Sequence, residues 1–273
     1  MSSKKILYVC QEINPYLETP NANFCRSLLQ GVQEKGNEIR SFTPRYGVIN
    51  ERRNQLHEVI RLSGMNLIIN NNDNQLIIKV ASIPSVRLQV YFIDNEDFFS
   101  RKAVLCDQDG TQFADNDERA IFFARGVLET VKKLRWSPDI VHCHGWFSSI
   151  VPLYLKKIFA DDPIFQDLKI VVSLYDDQFE TSLDPAFKNK ITSEGLSDDN
   201  IDILTDPSYE NLYKFVMSYA DGVVIASENA SASVVEYARA AGKKILEYKS
   251  TNLEDPTEAD ELYENYNKFY ESL

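Results

Sequence analysis

Glycine is missing where a nucleotide-binding loop would need it. The 273-residue chain has 10 glycines, and none falls between Val9 and Leu29, the stretch that follows the first apolar run. A dinucleotide fingerprint needs glycines there so that the backbone can approach a pyrophosphate, which excludes an NAD or FAD site. Cysteine is scarce and scattered, at Cys10, Cys25, Cys106 and Cys143, with no Cys-x-x-Cys pair to hold a structural zinc. Cys10 and Cys143 sit inside apolar runs, the setting of buried free thiols in a reducing cytoplasm. Positive charge is in deficit, with 29 Lys and Arg against 41 Asp and Glu and a net charge of −12. Such a field repels a polyanion, and the densest basic cluster (Arg45, Arg52, Arg53 and Arg61) is broken by Glu51 and Glu58, so no nucleic-acid partner is expected. No run approaches the roughly 18 apolar residues of a membrane span. The opening MSSKKILYVCQE lacks the long apolar region and cleavage site of a signal peptide. A cytoplasmic protein without a membrane partner is the expectation.

What is present is an apolar fraction of 44%, enough for a globular core. Ile6–Cys10 is a continuous apolar run, as in a strand buried on both faces. Phe24, Leu28, Leu29 and Val32 recur at helical spacing, Gly36 stops that helix, and Glu38–Thr43 reads as a second strand. This β-α-β unit sets a Rossmann-like expectation. His57–Leu62, Asn66–Asn70, Gln75–Ser82 and Arg87–Ile93 are short β-type runs, and Asn70–Asn74 supplies turn chemistry for a hairpin excursion. From Asp94 to about Phe113 the chain reads as loop. A helix is expected over Asp117–Leu134. Alternation then resumes with strands at Asp139–His144, Leu168–Leu174, Gly222–Ala226 and Lys244–Glu247. Helices are expected near Phe147–Ala160, Ser208–Tyr219, Asn229–Ala240 and Thr257–Tyr270, and Thr181–Thr205 is a long acidic loop region with room for a short helix. No linker divides the chain, so one domain is expected.

Open parallel sheets bind ligands at the carboxyl ends of their strands. Three such ends carry polar residues directly after an apolar run: the segment after Cys10, His142–Trp146, and Tyr175–Asp177. His142 and His144 alternate along a strand and point to one face, as two metal ligands or as hydrogen-bonded core groups, and no third ligand is evident by spacing. No metal or cofactor is expected. Asp176 and Asp177 read either as a carboxylate pair or as solvated loop acids, adjacent residues pointing apart.

Several blocks stand out in order: Lys5–Val9 with Glu12–Tyr16, Lys35–Arg40 through Thr43–Tyr46, Val90–Asn95, Asp115–Arg119 with Phe122–Arg125, and Pro138–His144 followed by Trp146 and Val151-Pro152. Together they resemble the bacterial glycogen/starch synthases of the ADP-glucose type. The series covers roughly residues 4–175, and Ala220–Val223 with Ala226-Ser227 adds a weaker match. The resemblance implies an α/β fold: a single Rossmann-like parallel-sheet domain with a β-hairpin insertion, equivalent to the N-terminal half of a GT-B glycosyltransferase. It implies a synthase-like domain over 1–250 and a C-terminal helix over 251–273 that packs back on it. The family transfers glucose from ADP-glucose to an α-1,4-glucan with retention and without a metal, its amino domain holding mostly the acceptor. The chain is expected to stop where that amino domain ends.

The departures from the family pattern cluster at the donor side. The family's Lys-x-Gly-Gly loop is replaced by Glu18-Thr19-Pro20-Asn21, its Asp-Trp-His by Gly145-Trp146-Phe147, and its His-Asn pair by Tyr175-Asp176. Losing groups that position and stabilise the transition state commonly costs on the order of 10²–10³ in rate each. The resemblance thus implies substrate-binding residues at Tyr16, Glu18, Thr19, Asn21, Arg45, Tyr46, His144, Trp146, Tyr175 and Asp176. It leaves the catalytic residues unknown, with Tyr175 and Asp176 standing in the His-Asn position. Tyr16, Tyr46, Trp146 and Tyr175 are candidates to stack on sugar faces, or else core aromatics. The expected partner is an α-glucan or maltooligosaccharide; little here attracts a nucleotide diphosphate such as ADP-glucose. Three functions remain open: a glucan-binding or regulatory relative, a transferase half completed by a partner, and a scaffold docking a protein or a second copy of itself.

Overall fold

The computed structural model describes residues 3–83, 85–193 and 195–273. The parallel strands are β1 (Lys5–Cys10), β2 (Glu38–Pro44), β6 (Leu88–Asp94), β7 (Ile140–His144), β8 (Lys169–Leu174), β9 (Gly222–Ile225) and β10 (Lys244–Leu246). They lie in the order β10-β9-β8-β7-β1-β2-β6. Ile6–Cys10 and all of β7 are buried, because helices cover both faces. The expected hairpin excursion interrupts the alternation between β2 and β6. It consists of β3 (His57–Glu58), β4 (Met65–Ile69) and β5 (Asn72–Ile83), all paired antiparallel. Asn70 and Asn71 both adopt positive φ, 48° and 63°, which gives β4 and β5 the two-residue turn that suits the twist of a hairpin. The fold is therefore the expected α/β domain, with the sheet mixed at one edge rather than parallel throughout.

The helices are α1 (Pro20–Glu34), α2 (Glu96–Phe99), α3 (Asn116–Leu134), α4 (Val151–Lys157), α5 (Phe187–Thr192), α6 (Tyr209–Met217), α7 (Ala232–Ala240) and α8 (Pro256–Ser272). Three local readings need correction. The stretch after Asp94 is not all loop: Asn95 caps the single turn α2, its side chain accepting from the Phe98 N–H, and that turn buries Phe98 and Phe99. The helix expected over Phe147–Ala160 breaks into a 3₁₀ turn at Trp146–Ser148 and α4, because Pro152 has no N–H and can enter a helix only in its first turn. Of the strand expected over His57–Leu62, only His57 and Glu58 pair.

Two buried cations fix the layers. Arg119 of α3 donates to the carbonyls of Phe98 and Val104 at 2.9 and 2.8 Å and to Asn116 Oδ1 at 2.6 Å. Its guanidinium lies against the rings of Tyr46, Phe99, Phe113 and Phe147, and burial lowers its pKa to about 10. Lys190 of α5 meets Asp117, Glu118 and Asp184 at 2.7, 2.9 and 2.9 Å and so ties α5 to α3. Helix α8 lies on α1 and on the sheet. A Cβ on Gly31 would come within 2.1 Å of the Tyr263 ring, so glycine is what lets α1 and α8 approach. Ser27 and Tyr263 hydroxyls pair at 2.6 Å, and Asn37 donates to Asn267 at 2.9 Å. Tyr270 reaches through to Tyr8 of β1 at 2.8 Å and to His142 Nδ1 of β7 at 2.7 Å.

Candidate active-site pocket

The strand order reverses between β1 and β7, and the chain leaves both strands at the same edge. This is the switch point at which open α/β sheets bind ligands. The Gln11 N–H donates to the His144 carbonyl at 2.9 Å, and the Phe147 N–H donates to Gln11 Oε1 at 3.1 Å, so the two exit segments are laced together. Gly145 makes the lacing possible. Its φ is +83°, and an added Cβ would lie 2.8 Å from Gln11. The exits bound a small pocket with a cavity volume of about 10 Å³, room for one water molecule. Its walls include Gln11, Glu12, Asn21, His144, Tyr175 and Asp177, and its lining holds no lysine or arginine.

The two carboxylates in the pocket are positioned by main-chain and side-chain donors. Asp177 accepts from the Trp146 N–H at 2.7 Å and from the Tyr209 hydroxyl at 2.9 Å. Burial raises its pKa to about 6, and the neighbouring charge of Glu12 adds to the rise. Glu12 accepts from the Thr19 hydroxyl at 2.7 Å, and burial raises its pKa too. Thr19 is also the N-cap of α1, accepting from the Ala22 N–H at 3.0 Å, with Pro20 next at the first helical position. The segment Glu18–Asn21 is thus the entry to α1, where one side chain both caps the helix and orients an acid.

His144 is the central group. Its Nδ1 lies 2.7 Å from the Tyr175 hydroxyl, while its Nε2 is buried with no partner. Burial lowers its pKa to about 3, so the imidazole is neutral at physiological pH and Nε2 is free to exchange one hydrogen bond with a ligand. His142 differs: its Nδ1 meets Tyr270 and its Nε2 meets Ser173 at 2.8 Å, so both nitrogens are committed to the core. Among the described residues, no cluster of three or more His, Cys, Asp or Glu is placed to hold a metal ion.

The pocket gathers Asn21, His144 and Tyr175 from the sequence candidates, with Thr19 just behind Glu12. Others lie elsewhere. Trp146 is buried edge-on against Phe147 and Phe179, and only its backbone N–H serves the pocket, through Asp177. Tyr46 is wholly buried among Phe99, Phe147 and Arg119, and offers no face to a sugar. Tyr16 is buried with its ring edge-on to Phe92, its phenol raised to about 12 by burial. Arg45 is held by Asp94 at 2.9 Å and Glu51 at 3.4 Å. Glu18 and Asp176 are exposed, outside the lining. Gln11, Glu12 and Asp177, which line the pocket, are not among the substrate-binding candidates, although the sequence singles out the strand ends that carry them. Their signal was position: each lies within three residues of the end of β1 or β8.

Residues 5–246 match the starch synthase catalytic domain family. The chain belongs to that family. The glycogen synthase of Chlorobium phaeobacteroides is 40% identical over 173 residues, 63% of this chain and 35% of that protein. That of Chlorobaculum parvum is 36% identical over 202 residues, 70% of this chain and 41% of that protein. The chain therefore spans 35–41% of the length of these curated relatives. The catalytic domain of starch synthase IV from Arabidopsis thaliana, solved bound to ADP and acarbose, superposes with a TM-score of 0.74 at 17% identity. The match covers 93% of this chain and 53% of that one, and shows the shared fold. The Pro138–His144 block forms β7 and its entry, and Thr19 caps α1.

Proposed function

We propose that the pocket at the ends of β1, β7 and β8 binds the end of a neutral α-1,4-glucan or maltooligosaccharide, and that the chain is the acceptor-holding, regulatory relative of a glycogen synthase. The observation that carries this reading is the buried, unpaired Nε2 of His144, a residue that lines a pocket of acids and amides without a cation. Sugar hydroxyls supply both donors and acceptors to such walls: Glu12 and Asp177 accept, Asn21 and Gln11 do either, and neutral His144 completes the set. Two carboxylates oppose a diphosphate, which argues against ADP-glucose in this pocket. The free thiols suit a reducing compartment, and we place the protein in the cytoplasm.

Calorimetric titration with maltooligosaccharide and with ADP-glucose, beside retardation of the native protein in glycogen-containing gels, tests the reading. The expected outcome is binding of glucan and no heat from ADP-glucose. Absence of any glucan binding removes it. Membership in a catalytic-domain family supports one further reading, a transferase half, and glucose incorporation from ADP-glucose on adding a second protein would replace the first reading by that one.

A further inference from the structure

Beneath the pocket lie two thiols that the glucan reading does not use. Cys10 ends β1, immediately before Gln11 and Glu12, and Cys25 faces it from the second turn of α1. The Cys25 thiol donates to Cys10 Sγ at 2.9 Å, and both residues are buried and free. A disulfide bond is about 2.05 Å long, so the sulfurs stand less than about 1 Å from bonding distance. Cys143 is not an alternative partner on the same face. It is level with Val9 across β1 and β7, whereas Cys10 is level with His144, and successive side chains alternate between the faces of a sheet. Cys25 also lines the pocket, so the pair adjoins the opening between the strand exits.

We propose that Cys10 and Cys25 form a reversible disulfide site under the pocket, oxidised by a hydroperoxide that enters through the pocket and attacks at Cys25. In the first step the Cys25 thiolate displaces hydroxide from hydrogen peroxide; with the thiol proton this leaves Cys25 sulfenic acid and one water. In the second, the Cys10 sulfur attacks the sulfenic sulfur, the S–S bond forms, and the departing hydroxide takes the Cys10 proton as a second water. Two thiols lose two electrons and two protons to one peroxide, and a dithiol reductant reverses the change by exchange. The bond draws α1 onto the end of β1. Thr19 of α1 holds Glu12, so closure shifts an acid and narrows the pocket. Oxidation therefore weakens glucan binding, a consequence that rests on the glucan reading, whereas the disulfide itself does not.

The test treats the native 273-residue protein with hydrogen peroxide, alkylates remaining thiols after denaturation, and maps the peptides by mass. The expected result is a Cys10–Cys25 linked peptide, lighter by two hydrogens than the separate peptides and lost on reduction with dithiothreitol. Cys106, which is half-buried, and Cys143 remain outside the link. Cys25→Ser abolishes the link and Cys106→Ser does not. Oxidation confined to Cys106, or a link seen only after the protein is unfolded, overturns the site. The regulatory half is read separately, by titrating reduced and oxidised protein with maltooligosaccharide. A severalfold weaker affinity on oxidation is expected, and an unchanged affinity in a linked protein overturns it. If reduced protein binds no glucan while the link still forms, the glucan reading has failed and the disulfide site stands.

Discussion

The Trp146 backbone N–H donates to Asp177 Oδ2 at 2.7 Å, joining the exit of β7 to the exit of β8 across the pocket wall. The tryptophan ring turns inward to Phe179, so a residue chosen as a sugar platform acts through its main chain instead. The acid it holds becomes the most informative group to titrate.

Asp177 should make stability fall as pH rises from about 4 to 6. Its pKa in the fold is about 6, against about 3.9 in an unfolded chain. The folded protein therefore keeps a proton that the unfolded chain has released across that window, and the advantage is gone above it. Asp177→Asn keeps the acceptor for Trp146 and removes the charge. The variant should gain on the order of 2 kcal/mol over wild type at pH 8 and little at pH 4, as read by urea unfolding at the two pH values. Parallel curves for the two proteins would show that Asp177 does not titrate in this window.

Gly145→Ala should destabilise the fold and disturb the pocket together. Its φ of +83° with ψ of 155° belongs to a region open essentially to glycine, and the new Cβ meets Gln11. The cost is expected to be about 1–3 kcal/mol, seen as a lowered midpoint of thermal unfolding. Gly110→Ala, also at positive φ but with open space around it, separates strain from collision.

Tyr270→Phe removes the hydroxyl that joins Tyr8 and His142. Two buried groups lose a partner, so a loss of about 1–3 kcal/mol is expected in urea unfolding. Glucan affinity should be unchanged, because the network lies behind the pocket. Weakened affinity with unaltered stability would place Tyr270 in the binding machinery instead.

Lys190→Met strands Asp117, which is fully buried, and should cost about 3–5 kcal/mol. The double change Lys190→Met with Asp117→Leu removes the stranded charge and should recover most of that loss. Equal stability of the single and double variants in chemical denaturation would show that the pair is not coupled.

The sequence made the strands legible because a strand covered on both faces is a continuous apolar run, as at Ile6–Cys10 and in β7 and β8. The helix α3 was legible because 19 residues give its period room to repeat. The turn α2 was not: four residues hold no period, and its Phe98 and Phe99 read as loop until they are seen packed. The pocket was half legible. Strand ends predicted its place, and His144, Tyr175 and Asn21 fell in it. An aromatic ring gives no sign in sequence of whether it faces solvent or core, and Tyr16, Tyr46 and Trp146 all went to the core. Asp177 rather than Asp176 lines the pocket, since which of two neighbouring acids turns inward depends on donors from β7 and α6, far off in sequence.

The position of β1 in the middle of the sheet has a consequence for synthesis on the ribosome. Its neighbour on one side, β2, emerges soon after it, but the other side waits for β7, about 130 residues later, and Tyr8 finds its hydroxyl partner only when Tyr270 arrives, 262 residues on. Long-range pairing of this kind is slow to form, because chain entropy is lost before the contacts are gained. A nascent chain thus carries an apolar strand with one open edge until β7 has emerged, an exposed surface of the kind that favours aggregation.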